Sequence, residues 1–151
     1  MSNDRTTRLV AFSRRFIQLS RAWRQEADAA LAPLGLSYAT AQALLVVHSF
    51  ESAPRQVALA CELDIEGPSL VRLLDQLCNA GLLYREDDPN DGRAKIIRLT
   101  ARGAALVARI ETALDALRRR LMTCVSDGDL AAALRVLDSI AAVIEHREVA
   151  A

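Results

Sequence analysis

From Gln56 to Thr100 the chain reads QVALACELDIEGPSLVRLLDQLCNAGLLYREDDPNDGRAKIIRLT, and a change of hydrophobic period inside this stretch decides the fold. Val57, Ala60 and Cys61 form the apolar side of a short helix over residues 56–63. The connection Asp64-Ile65-Glu66-Gly67 leads to Pro68, and proline suits a first helical turn, where its missing N–H costs nothing. A second helix then spans residues 68–80, with Leu70, Leu73, Leu74 and Leu77 as its buried side. Gly81 follows as the left-handed residue past its end, with Leu82 as hydrophobic partner. Two short helices joined by a tight connection containing Gly fit a helix-turn-helix. Past Gly81 the pattern turns β-type: residues 82–85 and 95–99 flank Glu86-Asp87-Asp88-Pro89-Asn90-Asp91-Gly92-Arg93. Pro, Asn and Asp-Gly mark that segment as a turn. It is longer than a two-residue hairpin needs, so its tip should project. A helix-turn-helix followed by a projecting hairpin is the winged-helix arrangement, assigned here to residues 37–99.

The flanks are helical. Leu9, Phe12, Phe16, Leu19, Trp23, Ala27 and Ala30 recur at gaps of three and four, one face of a long helix over residues 5–32. Pro33 and Gly35 end it, and Ser37 is an N-cap for a helix through Val47. Thr100 caps another long helix with Leu106, Ile110, Leu114, Leu117 and Leu121 on one stripe. Ser126 and Asp129 resemble a capping box for a last helix striped by Leu130, Leu134, Leu137, Ala141 and Ile144. The terminal helices, residues 5–32 and 100–148, carry apolar stripes that the small central module cannot cover alone. Packing on each other and on a second copy would cover them, which predicts a twofold homodimer.

Composition agrees and narrows the class. The 151 residues include 27 Ala and 23 Leu, both strong helix formers, while aromatic residues are 4%. The fold expected is mainly α with one small antiparallel β-hairpin. No apolar run reaches the roughly 18–20 residues of a membrane span, and Met1-Ser2-Asn3-Asp4-Arg5 lacks the apolar core of a signal peptide, so a cytoplasmic location is expected. Cys61, Cys78 and Cys124 are an odd, widely spaced set, which excludes a disulfide framework. Each reads as a small buried hydrophobe, and a redox role for Cys124 has no support. His48 and His146 lie far apart, and no spacing suggests a metal site.

Function must come from local placement, because 19 basic residues balance 19 acidic ones. On the helix over residues 68–80, the face opposite the leucines shows Ser69, Arg72, Gln76 and Asn79. A solvated helix usually displays Glu and Lys. This one displays an Arg and amides, groups that bridge donor and acceptor atoms on base edges, although an ordinary polar surface would look similar. Ser69 sits in the first turn, where a hydroxyl and free N–H groups can meet a phosphate. At the hairpin tip, Arg93 suits a narrow minor groove, and Asp91 can orient it by a charge-assisted hydrogen bond. Alternatively the two form a weak surface pair. Arg55, Arg85, Lys95 and Arg98 are candidate phosphate contacts or solvated surface.

These residues resemble the MarR family of transcription regulators, and within it the SlyA-like branch. The similarity runs from Asp64-Ile65-Glu66-Gly67-Pro68-Ser69-Leu70-Val71-Arg72 through Leu74-Asp75-Gln76-Leu77 and Gly81-Leu82. It resumes at Asp91-Gly92-Arg93-Ala94-Lys95 and closes at Leu99-Thr100, with the order of elements matching over nearly the whole chain. The resemblance implies a homodimer on a pseudo-palindromic operator, with Pro68, Ser69 and Arg72 in the major groove and Arg93 in the minor groove. It also implies a small aromatic carboxylate as effector, with Arg21 and Arg24 facing the carboxylate, and no other cofactor. Ala41 and Leu45 stand where that branch tends to carry Trp and His, a departure at the effector positions. Structural pairing with Glu26, Asp28 or a partner chain is the other role open to the two arginines.

One balance runs against DNA. Residues 53–99 hold six basic side chains and eight acidic ones, a net of −2, whereas residues 1–31 carry six Arg and three acids. Phosphate neutralisation drives non-specific affinity, so the central module should bind random DNA weakly. An interaction protein whose winged helix has left DNA is therefore the alternative, and Arg72 together with Arg93 argues against it. Arg118-Arg119-Arg120 fans around a helix as solvated surface. No nucleophile–base pair, phosphate-cradling loop or metal cluster is present, so an enzyme is not expected.

Overall fold

The computed structural model describes residues 2–149. Six helices and one hairpin follow in order: α1 (Ser2–Leu31), a 3-10 turn (Ala32–Leu34), α2 (Tyr38–Ser49), α3 (Gln56–Leu63), α4 (Gly67–Asn79), β1 (Leu83–Asp88), β2 (Asp91–Leu99), α5 (Ala101–Leu121) and α6 (Asp127–Val149). The fold is a winged helix, mainly α with a two-stranded antiparallel sheet, as the pattern of leucines and turn residues predicts.

Local chemistry places each boundary. Ser37 caps α2 through a reciprocal box: its hydroxyl accepts the Thr40 N–H at 3.2 Å, and Thr40 Oγ1 accepts the Ser37 N–H at 2.9 Å. Past α4, Gly81 takes φ 67°, the Leu82 N–H reaches the Leu77 carbonyl at 3.0 Å, and the Gly81 N–H reaches that of Cys78 at 2.9 Å. This is the Schellman arrangement, with Leu82 buried as its apolar partner. The same motif ends α3, where Ile65 N–H bonds the Ala60 carbonyl, and there the left-handed residue is Asp64, at φ 50°. Gly67, the glycine in that connection, is instead the first residue of α4. Aspartate occupies the left-handed region more readily than most side chains, which lets the turn close without glycine.

The chain divides between Leu117 and Arg118 into two units. In the first, Leu44, Leu59, Leu70, Leu74, Leu77, Leu83, Ile97, Val107 and Ile110 are fully buried and form one aliphatic core. Only the end of α1 joins it, through Ala27 and Leu31; Leu9, Phe12, Phe16 and Leu19 from the predicted stripe are exposed. In the second unit α6 begins at a cap in which the Asp129 N–H meets Ser126 Oγ at 3.1 Å. Its Leu130, Leu134, Leu137 and Ile144 are likewise exposed.

Three sequence expectations need correction. The hairpin is tighter than its turn composition suggests: Asp87 pairs with Lys95 and Asp88 with Asp91, a bulge separates these pairs, and only Pro89 and Asn90 lie outside the strands. Cross-strand ion pairs, described below, keep the polar segment in the ladder. Val57 is 81% exposed rather than part of the buried side of α3, which is carried by Leu59 with Ala60 and Leu63 beside it. Finally, Cys61 and Cys124 are exposed and Cys78 is half-buried. Cys61 stands two positions from Leu59 on an eight-residue helix, roughly 200° around it, and so faces away from the core.

Candidate nucleic-acid interface

Leucines at 70, 74 and 77 hold one side of α4 in the core, so its other side is presented outward. Pro68, Ser69, Arg72, Gln76 and Asn79 are all exposed, together with Val71 at 44%, an apolar group among the polar ones that sequence reasoning passed over. The start of α4 is fixed by the Leu70 N–H bonding the Glu66 carbonyl at 3.0 Å, and Pro68 removes one N–H that the first turn would leave without a partner.

The hairpin stands beside α4 and is braced on three sides. Asp75 of α4 meets Arg85 of β1 at 2.8 Å. The segment before α3 meets β2 through a single antiparallel bridge: Arg55 bridges Ile96, and the Ile97 N–H donates to the Pro54 carbonyl at 2.9 Å. At the base, the Thr100 hydroxyl donates to the Gly81 carbonyl at 2.8 Å and accepts the Gly103 N–H at 3.0 Å, tying the end of α4 to the start of α5.

Charge along this surface is largely satisfied internally. Lys95 pairs with Asp87 directly across the ladder, and Arg98 meets Glu86 at 2.5 Å. Arg55 Nε donates to Asp88 Oδ2 at 2.7 Å, its Nη2 lies 2.6 Å from the same oxygen, and its Nη1 lies 3.7 Å from Asp91 Oδ2. Asp88 is nearly buried, and its other oxygen accepts the Asn90 N–H at 2.8 Å. That backbone hydrogen bond, and then the Arg55 guanidinium, hold the Asp88 carboxyl below the usual aspartate range. Asp91 Oδ1 accepts the backbone N–H of Arg93 at 3.2 Å. Asp91 therefore fixes the main chain at Arg93, where the sequence suggested a bond to its guanidinium. Among the described residues, the side chains of Arg72 and Arg93 meet no carboxylate or carbonyl.

Sequence reasoning chose the basic residues of this surface but missed Asp88, whose partner Arg55 lies 33 residues away. The acidic partners Asp75, Glu86 and Asp87 were also passed over. They carry no local signal beyond alternation across paired strands.

A crevice of about 440 Å³ is lined by Arg24 and Asp28 of α1, Tyr38 and Gln42 of α2, Glu62 of α3, and Ile65 and Leu73. Asp28 Oδ1 accepts the Tyr38 N–H at 2.6 Å, and the Gln42 amide bonds the Tyr38 hydroxyl. Of the four effector positions named from sequence, Arg24 lines this crevice. Arg21 is exposed outside the lining, Leu45 is half-buried, and Ala41 is fully buried in the core. Asp28, Tyr38, Gln42 and Glu62 supply most of the polar lining, and nothing in their spacing marks them. Among the described residues no three His, Cys, Asp or Glu side chains gather as a metal site, and no single helix is long and apolar enough to cross a membrane.

Residues 34–94 match the MarR family. Among solved structures, the chain is similar to a transcriptional regulator, PA3341, with 38% identity and a TM-score of 0.81 over 89% of this chain and 98% of that one. It is also similar to MepR of S. aureus in a complex with DNA, at 25% identity and a TM-score of 0.80 over 87% of this chain and 97% of that one. CouR from Rhodococcus jostii RHA1, bound to p-coumaroyl-CoA, shares 26% identity with a TM-score of 0.74 over 82% of this chain and 87% of that one.

Proposed function

The chain belongs to the MarR family, and from that premise we propose that it is a sequence-specific DNA-binding transcriptional regulator acting as a homodimer. One observation carries the reading. Of the six basic side chains in residues 53–99, four hold carboxylates, and the two left unpaired are Arg72 on the outer face of α4 and Arg93 at the wing tip. Those positions suit contacts in adjacent major and minor grooves. Pro68, Ser69 and Gln76 complete the α4 face, and Asp91 and Lys95 belong to the wing as its positioning and paired members. The Pro68–Arg72 run supports placement near the SlyA-like branch.

The exposed apolar faces of α1 and α6 are what a second copy would cover, making residues 5–32 and 100–148 the dimerisation helices around the module at 37–99. A twofold pair of modules reads half-sites one helical turn apart, about 34–36 Å. Occupancy of such an operator gives repression or anti-silencing, with no catalytic step. A small effector fits the crevice, where Arg24 is the group to meet a carboxylate. Leu73 puts α4 itself into that lining, so a ligand there acts on the helix that carries Arg72. The acidic excess that favours an interaction protein persists after pairing, and what speaks against that reading is that Arg72 and Arg93 are both left free of carboxylates among the described residues.

Fluorescence anisotropy of the full chain on DNA from upstream of its own gene, near physiological salt with excess random competitor, tests the reading. Saturable nanomolar-range binding with one dimer per site is expected. Failure there, followed by failure of a random-sequence selection to enrich any site, would overturn it.

A further inference from the structure

We propose that Arg55 is a positioning residue for the wing: it holds the two aspartates that aim Arg93, and does not itself meet DNA. This rests on the DNA-binding reading given above. The other paired bases of the module, Arg85, Lys95 and Arg98, each face one carboxylate, whereas Arg55 lies between two. Both of those carboxylates are used at the tip. Asp88 accepts the Asn90 N–H and Asp91 accepts the Arg93 N–H, so the guanidinium is the hub from which the backbone of residues 88–93 is fixed.

Arg55 is itself anchored. Its backbone bridges Ile96, and the neighbouring Pro54 carbonyl takes the Ile97 N–H at 2.9 Å. The guanidinium therefore starts from a fixed point on the module rather than from a free loop. Asp88 is the buried member of the set, and a carboxylate taken out of water holds its cation strongly. Electrostatics argues against phosphate at this point as well. One guanidinium beside two carboxylates leaves a local charge of −1, which repels a phosphate. The planar fork of arginine also suits this position, because it addresses two acceptors at once, which a lysine ammonium does less well.

Arg55→Gln, Arg93→Ala and the double variant, each as the full chain, separate the roles. In the free protein, the NMR order parameter of the Arg93 amide should fall in Arg55→Gln from the rigid range near 0.85 to below about 0.6. Asp91→Asn, which removes only the wing end of the clamp, should produce the same fall if Arg55→Gln proves too unstable. On DNA, Arg93→Ala should weaken binding and lower the salt slope by about one per protomer. Adding Arg55→Gln to it should change affinity less than about twofold and leave that slope where it is. An unchanged Arg93 order parameter overturns the clamp. So does a further drop in slope of about one per protomer, which would make Arg55 a phosphate contact. If the unmutated chain binds no DNA, the regulator reading falls, while the order parameters still decide whether Arg55 holds the tip.

Discussion

Arg72 stands on the outer face of α4 between Ser69 and Gln76, and its guanidinium is occupied by nothing else among the described residues. An arginine so placed reads a guanine edge by two parallel hydrogen bonds. Arg72→Ala should therefore cost about 1–3 kcal/mol on the preferred site and relax selection at one base pair per half-site. Anisotropy against a panel of singly substituted operators measures this, and uniform weakening over the whole panel would reassign Arg72 to a phosphate. Asp88 sets a prediction of another kind. Its carboxyl is held below the usual range in the folded chain, so its contribution to stability is full above the unfolded value near pH 3.8 and disappears as pH falls through the lower folded value. In urea unfolding across pH, the stability gap between the natural chain and Asp88→Asn should be widest at neutral pH and close on acidification. A constant gap would mean that the loss is one of packing. At this scale the sequence singled out Arg72 and Arg93 as candidates but not what orders the wing around Arg93, because Asp88 and Arg55 meet only once the segment before α3 pairs with β2.

Among the elements, α3 and α4 were legible almost to their ends, since leucine spacing, Pro68 and Gly81 all act within a few residues. The wing was less so. Glu86, Asp87, Gly92 and Arg93 have turn composition, yet they lie in strands because the opposing bases neutralise the acids across the ladder. Gly103 shows a constraint that no local pattern announces. A Cβ there would stand 2.1 Å from the Leu82 carbonyl oxygen and 3.1 Å from Leu99, where α5 crosses the corner between α4 and the hairpin. That carbonyl also accepts the Thr100 N–H at 3.0 Å, so it cannot retreat without releasing the start of α5. Gly103→Ala gains helix propensity but should still destabilise the chain by about 1–3 kcal/mol through this overlap. Chemical denaturation measures it, and an unchanged or raised midpoint would show that the corner yields freely.

At the scale of the whole molecule, the internal pairing of charge predicts a shallow dependence on salt. With Arg72 and Arg93 as the unpaired bases of each module, a dimer has four such groups to neutralise phosphates. The slope of log affinity against log salt on random DNA should then be about −4 or shallower. Anisotropy over a salt series gives the slope directly, and a value near −10 would mean that the ion pairs open to release their cations to DNA. The exposed stripes of α1 and α6 were readable from periodicity alone, but the crevice was not, since it is assembled from a few residues each of α1, α2 and α3 and one of α4. The paired wing also has a consequence for how the protein is apportioned in a cell. Random chromosomal DNA vastly outnumbers any operator and normally soaks up a regulator. A surface that has already spent most of its cations on its own acids is poorly retained by that reservoir. A larger share of the molecules stays unbound and in circulation, so operator occupancy follows copy number closely and a modest number of dimers suffices to switch a gene.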